Sequence, residues 1–250
     1  MVSVKTAEEV KKIAEASQIV AIILQELSTS VKSGMSTEEI NTMAENMLKK
    51  YGARPAFKGY RGYPASICVS INDEIVHGIP SPKRIIKDGD IVSLDFGVLM
   101  NGFFGDAAIT VPIGRISETA EYLLKTTKES LNLAIKEAKV GNRLYDISST
   151  VQEYAERNGF SVVRDFVGHG IGRALHEDPQ IPNYGQKGKG MKLEKGMVFA
   201  VEPMINEGDY RIKIDADGWT ARTLDGSLSA HFEHTIVVDY DHGIVLSKVN

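Results

Sequence analysis

Apolar residues recur at helical spacing in two segments near the start of the chain. The first segment follows Thr6-Ala7-Glu8-Glu9, where a hydroxyl and an acid three residues later form the pattern of a capping box. The second follows a similar pattern at Ser36-Thr37-Glu38-Glu39 and ends near Gly52. Their apolar positions are Val10, Ile13, Val20, Leu24 and Leu27, and then Ile40, Met43 and Met47. We therefore predict two successive amphipathic helices.

A second pair of helices is predicted farther along the chain. The first covers 117–138 and the second ends near Gly159. Their apolar positions are Leu123, Leu124, Leu131 and Ile135, and then Ile147, Val151 and Ala155. Apolar runs predict strands over 66–71, 91–99 and 104–111 after the first pair, and over 162–167, 197–201 and 232–238 after the second. Helices followed by strands, twice over, indicate an α+β fold whose antiparallel sheets are covered by two pairs of helices.

The two parts of the chain are related by a constant offset of 107 residues. The stretch G-D-I-V-S-L-D at 89–95 corresponds to G-M-V-F-A-V-E at 196–202. The same offset relates Gly34 to Gly141, Ile40 to Ile147, Gly52 to Gly159 and Gly78 to Gly185. A shared offset without drift indicates an internal duplication. We predict a single domain over residues 1–250, made of two pseudo-equivalent halves at about 5–111 and 112–248.

Composition and charge exclude several classes of protein. A net charge of −4 without a long basic run argues against nucleic acid or an anionic membrane as a partner. The longest apolar run, at 19–24, is too short to span a bilayer, and the early acids Glu8 and Glu9 do not fit a signal peptide. Cys68, the single cysteine, excludes an internal disulfide and suits a reducing compartment. We expect a cytoplasmic protein.

Four carboxylates occupy matched positions in the two halves. Asp95 and Asp106 belong to two strands that a short turn connects, and Glu202 and Glu233 are their counterparts in the second half. In the strand at 91–98, alternation places Asp95 on the face opposite the bulky apolar residues. A single acid of this kind is as often an ordinary surface residue, but four at matched positions favour convergence. Such a cluster repels itself unless cations neutralise it, so a metal site is the leading hypothesis.

Histidines supply a candidate nitrogen ligand. His169 lies in G-H-G-I-G at 168–172, where glycines allow other groups to approach closely. A phosphate-binding loop is disfavoured there, because no lysine and no capped helix follow in the required places. His77 lies at the end of a strand and before a turn, and His176 lies seven residues beyond His169, although each alone would more often be an ordinary polar loop residue. His231 and His242 are interpreted as ordinary polar loop residues, and His234 faces the opposite side of its strand from Glu233.

Five short motifs together resemble the type I methionine aminopeptidases. They are D-F-G at 95–97, F-G-D at 104–106, V-G-H-G-I-G at 167–172, V-E-P at 201–203 and F-E-H at 232–234. The resemblance extends from about residue 5 to residue 248 and implies the duplicated pita-bread fold, with pseudo-two-fold symmetry. The chain has no zinc-finger-like extension, and the gap between His169 and Glu202 is too short for the insertion of type II enzymes, so the short bacterial form is expected.

The resemblance implies a role for each matching residue. Asp95 would chelate one metal ion, His169 and Glu202 would hold another, and Asp106 and Glu233 would bridge the two. Glu202 would also carry a proton, while His176 would stabilise the carbonyl oxygen and His77 would contact the scissile amide. The residues implied to line the methionine pocket are Phe57, Tyr60, Tyr63, Cys68 and Trp219. Leu175 stands where bacterial relatives often carry an aromatic residue, so the fine side-chain preference stays open.

The implied activity is removal of an N-terminal methionine from nascent proteins and peptides when the second residue is small, by a hydroxide that two divalent cations activate. The cations could be cobalt, manganese, iron or zinc. Two alternatives are a prolidase or aminopeptidase P-like enzyme of the same fold, and a non-catalytic binding module. The family role also implies the ribosome as a partner, and the absence of an exposed heptad or long apolar patch favours a monomer.

Overall fold

A computed structural model describes residues 2–249, which form four α-helices, fifteen β-strands and one short 3₁₀ turn. The helices are α1 (Ala7–Ser30), α2 (Thr37–Lys49), α3 (Glu118–Glu137) and α4 (Leu144–Arg157). The strands are β1 (Arg54–Pro55), β2 (Cys68–Ile71), β3 (Glu74–Val76), β4 (Ile91–Met100), β5 (Phe103–Pro112), β6 (Ser161–Val162), β7 (Val167–Gly170), β8 (Glu177–Pro182), β9 (Val198–Val201), β10 (Met204–Asn206), β11 (Ile212–Ile214), β12 (Ala221–Thr223), β13 (Ser229–His231), β14 (Glu233–Val237) and β15 (Ile244–Val245).

The helices begin where the sequence predicts, because their caps are local. The hydroxyls of Thr6 and Ser36 each accept a hydrogen bond from the backbone N–H of the third helical residue, and the carboxylates of Glu9 and Glu39 accept one from the backbone N–H of the cap residue. Both capping boxes are therefore confirmed. Ser117 caps α3 in the same way through the backbone N–H of Ala120.

One large sheet joins strands from both halves of the chain. Its order is β1-β4-β5-β14-β9-β7-β8, with β2 added on β4 and β15 on β14. Two smaller sheets, β13-β10-β6 and β11-β12-β3, lie beside it. Strands β5 and β14 pair directly, and this pairing links the two predicted halves within the large sheet. The helix-covered α+β fold is confirmed, whereas the division into two duplicated halves stays a prediction.

Each pair of helices covers its own part of the sheet. The apolar face of β4, formed by Val92, Leu94, Phe96 and Val98, is buried with residues of α1 and α2. A second core combines α3 and α4 with β9 and β14, around Leu123, Ile147, Phe199 and Ile236. Since the apolar face of β4 is covered by helices, Asp95 lies on the opposite face, as the alternation predicts.

One predicted strand is wrong. Residues 162–167 do not form a single strand: β6 ends at Val162, and β7 begins at Val167. The chain changes sheets between them, because β6 pairs with β10 whereas β7 pairs with β8 and β9. Among residues 2–249, no helix is both long and apolar enough to cross a membrane.

Candidate active site

The register of three strands brings three acids onto one face of the large sheet. Asp95 and Glu233 both lie across from Ala108, one on each side of β5. Asp106 lies two residues before Ala108 and across from Gly97. Partners across an antiparallel ladder point to the same face, as do residues two apart in one strand. Asp95 and Asp106 are therefore diagonal neighbours, and Glu233 extends the group across β14.

The neighbouring strands bring Glu202 and His169 to the same face. Ala200 pairs with Thr235 on one side and with His169 on the other. Glu202 comes two residues after Ala200, immediately beyond the end of β9. Because His234 pairs with Val201, the continuing register sets Glu202 across from Glu233. The four acids and His169 therefore share one face.

Distances show that four of these side chains lie close together. One potential ligand atom from each of Asp106, His169 and Glu233 lies within 4.8 Å of the other two. Nε2 of His169 is 3.5 Å from Oε1 of Glu202. A cavity of about 360 Å³ is lined by all twelve predicted site residues, which are Phe57, Tyr60, Tyr63, Cys68, His77, Asp95, Asp106, His169, His176, Glu202, Trp219 and Glu233.

Burial raises the pKa values of all four carboxyl groups, and the charges of neighbouring carboxylates raise three of them further. Burial raises the pKa of Asp95 to about 7. The pKa values of Asp106, Glu202 and Glu233 are raised well above their usual range, first by burial and then by the charge of neighbouring carboxylates. Burial lowers the pKa of His169 to about 3, so its imidazole is neutral and free to coordinate.

Several of the buried oxygens have no internal partner. Within residues 2–249, Oδ1 of Asp95, Oδ1 of Asp106 and Oε1 of Glu233 accept no hydrogen bond. An unpaired buried acceptor is costly, and a cluster of them is more so. Carboxylate oxygens with one neutral imidazole form a donor set that suits divalent cations. The residues therefore fit a metal centre of the kind predicted from the sequence.

An apolar pocket adjoins the carboxylates. Tyr63 is buried, donates its hydroxyl hydrogen to the carbonyl of Gly78 at 3.1 Å, and meets Trp219 edge-on at 5.2 Å. Gly97 leaves space for the ring of Phe57, since a Cβ there would lie 2.6 Å from Cε1 of that ring. The pocket can enclose an apolar side chain of moderate length while the carboxylates remain beside it.

Two further histidines line the same cavity. His176 stacks on Tyr60 at 5.1 Å, with Nδ1 2.9 Å from the tyrosine hydroxyl, and its ring centre is 4.2 Å from that of His169. His77 adopts a left-handed backbone conformation, with φ 62°, and meets Phe166 edge-on at 5.2 Å. Burial lowers the pKa of His77 to about 4. Both rings line the cavity beside the carboxylates.

Glu177 fixes the loop that carries His176. Its carboxylate accepts hydrogen bonds from the backbone N–H groups of Arg173 at 2.7 Å and Ala174 at 3.1 Å. Nζ of Lys5, whose side chain is only 3% exposed, approaches the same carboxylate at 2.5 Å. The N-terminal segment is thereby tied to the loop that presents His176 to the cavity.

Sequence reasoning missed several residues near the site. Gln180 and Phe166 line the cavity, and Gln180 pairs with His169 across β7 and β8. Strand β8 was not predicted, because its sequence E-D-P-Q-I-P shows no apolar alternation.

The interpretation of His231 as a polar loop residue is wrong, because it belongs to β13 and is 1% exposed. Its place in the chain, two residues before Glu233, was the available signal.

Comparisons with known proteins agree with this geometry. The model of metallopeptidase family M24 matches residues 11–240. The chain is 50% identical over 249 residues to methionine aminopeptidase 1 of Bacillus subtilis, covering 100% of both. The crystal structure of a methionine aminopeptidase from Thermotoga maritima superposes with a TM-score of 0.98 at 47% identity, again covering 100% of both chains. A prolidase from Pyrococcus furiosus shares the fold, with a TM-score of 0.80 at 24% identity, over 99% of this chain and 66% of that one.

Proposed function

The chain belongs to metallopeptidase family M24, among its methionine aminopeptidases, and we propose that it removes an N-terminal methionine when the second residue is small. The observation that carries this proposal is the placement of four acids and one neutral imidazole beside an enclosed apolar pocket. The acids and imidazole suit hydrolysis at a metal centre, and the pocket suits the methionine side chain.

Asp95, Asp106, His169, Glu202 and Glu233 would hold the metal ions. The donor set suits two divalent cations, with cobalt, manganese, iron and zinc as candidates. Bound there, the cations would supply the Lewis acidity that activates water and polarises the scissile carbonyl. Four carboxylates can balance the charge of two such ions, and this balance relieves the repulsion that raises the pKa values of the acids.

Glu202 is the proposed proton carrier. It follows the end of β9, and its carboxylate lies at the cavity wall, where it can take a proton from water and deliver it to the leaving amine. His176 would donate a hydrogen bond to the carbonyl oxygen as negative charge develops there. His77 would contact the scissile amide nitrogen. Neither histidine needs to titrate for these roles.

Recognition of methionine is assigned to the apolar wall of the cavity. Phe57, Tyr60, Tyr63, Cys68 and Trp219 would enclose the unbranched thioether side chain, to which sulfur–aromatic contacts are favourable. The requirement for a small second residue would follow from the limited room beyond that pocket. Leu175 is 1% exposed and belongs to the same wall, so it contributes to the fit.

The substrate test compares Met-Ala-Ser with Xaa-Pro peptides in the presence of Mn²⁺ or Co²⁺. We expect Met-Ala-Ser to be cleaved to free methionine, and Xaa-Pro peptides without methionine to be left intact. Preferred cleavage of Xaa-Pro bonds would assign the chain to the prolidase-like enzymes. Metal-free protein that has no peptidase activity with any divalent cation, but binds a partner tightly, would indicate a binding module.

The role of Glu202 is tested by Glu202→Gln, which keeps the shape of the side chain and removes its basic oxygen. Turnover should fall by on the order of 10²-fold or more. The metal content of the purified variant must be measured alongside. A turnover close to that of the wild type at full metal occupancy would exclude Glu202 as the proton carrier.

The remaining parts of the proposal concern the setting of the enzyme. We propose a cytoplasmic monomer that acts on nascent chains, with the ribosome as a docking partner. The single cysteine, Cys68, is buried and unpaired, as suits a reducing compartment. The halves at about 5–111 and 112–248 are proposed to be copies of one ancestral unit within a single domain.

A further inference from the structure

His231 is a buried histidine outside the predicted set of site residues. It lies at the end of β13, is 1% exposed, and stands two residues before Glu233. Within residues 2–249, neither of its ring nitrogens has a hydrogen-bond partner. A neutral imidazole always carries one N–H, and burying that donor without an acceptor costs free energy. The ring therefore requires an acceptor within its reach.

The backbone of His231 is fixed by the strand that carries Asp106. The hydroxyl of Thr110 in β5 donates to the carbonyl of His231 at 2.8 Å and accepts from its N–H at 2.9 Å. Ser93 in β4 lies 2.8 Å from the same hydroxyl. With both backbone groups engaged, the position of the imidazole relative to the carboxylate cluster is set by the sheet.

The nearest carboxylate to this ring is that of Glu202. Nε2 of His231 lies 3.9 Å from Oε2 of Glu202, while Oε1 of the same carboxylate lies 3.5 Å from Nε2 of His169. The two oxygens thus face two different imidazoles, one in the metal site and one behind it. A hydrogen bond needs about 2.9 Å, and rotation about the Glu202 side chain closes a gap of this size.

We propose that His231 is a positioning residue, whose Nε2–H donates a hydrogen bond to Oε2 of Glu202 and so directs Oε1 into the cavity. The inference rests on the proposed role of Glu202 in metal binding and proton transfer. A donor behind a ligating carboxylate fixes its orientation, which governs both metal affinity and the transfer step.

The test uses two substitutions of similar size that differ in the hydrogen bond. His231→Gln keeps an N–H donor near the position of Nε2, whereas His231→Met keeps the bulk and removes the donor. Both variants are compared with the wild type by steady-state cleavage of Met-Ala-Ser with Mn²⁺, and by calorimetric titration of Mn²⁺ into metal-free protein. Circular dichroism and thermal unfolding in EDTA establish that each variant is folded.

For His231→Met we expect kcat to fall about 10–100-fold with little change in KM, and Mn²⁺ affinity to weaken by a similar factor. His231→Gln should stay within about threefold of the wild type in both measurements. Unchanged kcat and Mn²⁺ affinity in His231→Met would overturn the proposal. Equal losses in two folded variants would also overturn it, because they would assign a steric role to the ring.

A third measurement, the tautomer of His231 in the wild type, requires neither enzyme activity nor a folded His231→Met variant. Two-bond ¹H–¹⁵N correlations of the metal-free wild type report the tautomer of each histidine, and the His231 signals are identified by their loss in His231→Gln. We expect protonation at Nε2, and protonation at Nδ1 would refute the hydrogen bond. Absence of Met-Ala-Ser cleavage by the wild type would instead count against the proposed function, while the Mn²⁺ comparison would still test His231.

Discussion

Replacing Glu233 by glutamine should stabilise the metal-free protein while it removes a proposed metal ligand. Glu233 is 2% exposed, and its Oε1 is unpartnered among the described residues. Its pKa is raised by burial and then by the charges of Asp106, Glu202 and Asp95. Glutamine keeps the size of the side chain but removes the charge, so the repulsion inside the cluster decreases. A residue needed for function is thus expected to reduce the stability of the empty protein.

The size of the gain follows from two independent bounds. Ligand oxygens of Asp106 and Glu233 lie within 4.8 Å of each other. If both were ionised, their repulsion would be about 3.5 kcal/mol at an effective dielectric constant of about 20. If Glu233 stayed protonated instead, holding a proton at pH 8 against an ordinary pKa of 4.5 would cost about 4.8 kcal/mol. The first figure leaves out the desolvation of Glu233, so ionisation costs more than this, and the cost of holding the proton is the upper limit. We therefore expect a gain of about 4 kcal/mol at pH 8.

The sign of the pH dependence is also determined. A carboxyl whose pKa is higher in the folded state than in the unfolded state binds its proton more tightly when folded. Its contribution is fully favourable below the ordinary pKa and is lost as the pH rises toward the raised value. At pH 5 the penalty is under about 1 kcal/mol, so the advantage of Glu233→Gln should nearly vanish there.

Thermal unfolding in EDTA at pH 5 and pH 8 measures this difference. At pH 8, Glu233→Gln should raise the Tm by roughly 10 °C over the wild type. Glu153→Gln provides the control, since Glu153 is exposed on α4 and its replacement should change stability by less than about 0.5 kcal/mol. A variant no more stable than the wild type at pH 8, or one equally stabilised at both pH values, would refute the electrostatic reasoning.

Three further predictions concern parts of the molecule that support the site. Lys5→Met should reduce the free energy of unfolding by roughly 3 kcal/mol in urea denaturation and lower kcat/KM, because it leaves Glu177 without its buried cation. Unchanged values would show that the Lys5–Glu177 ion pair does not hold the loop that carries His176. Gly97→Ala should raise KM for Met-Ala-Ser, since its methyl group would displace the ring of Phe57, and a KM equal to that of the wild type would contradict this packing. With a pKa of about 4, His77 is neutral at both pH 6 and pH 8, so His77→Gln should reduce kcat/KM by the same factor, about tenfold, at both; a factor that changes between them would show that His77 titrates in this range.

Features that depend on neighbouring residues in the chain could be predicted from the sequence. The caps at Thr6 and Ser36 use side chains within one turn of the helix. The turn at Asn101-Gly102 has positive φ at both residues, which selects a two-residue hairpin and thereby sets the register of β4 on β5. Alternation in β4 then fixes the face of Asp95.

Features that depend on distant strands could not be predicted. Val162 and Val167 fall within one apolar run, but their strands pair with different sheets, and no local property of that run encodes the change. His231 lies beside the site because distant residues hold its backbone: Thr110, 121 residues away, binds it, and Met204 pairs with it. The resemblance to a known family implied the roles of the proposed ligands. The structure added their burial and the side chains that lie behind them, such as His231.

The most direct test of the account is anomalous scattering from crystals of the metal-free protein soaked in Mn²⁺. We expect two anomalous peaks within one cavity, with ligands from Asp95, Asp106, His169, Glu202 and Glu233. Peaks at other places, or an empty cavity at saturating Mn²⁺, would contradict the proposal that these five side chains form a dinuclear metal centre.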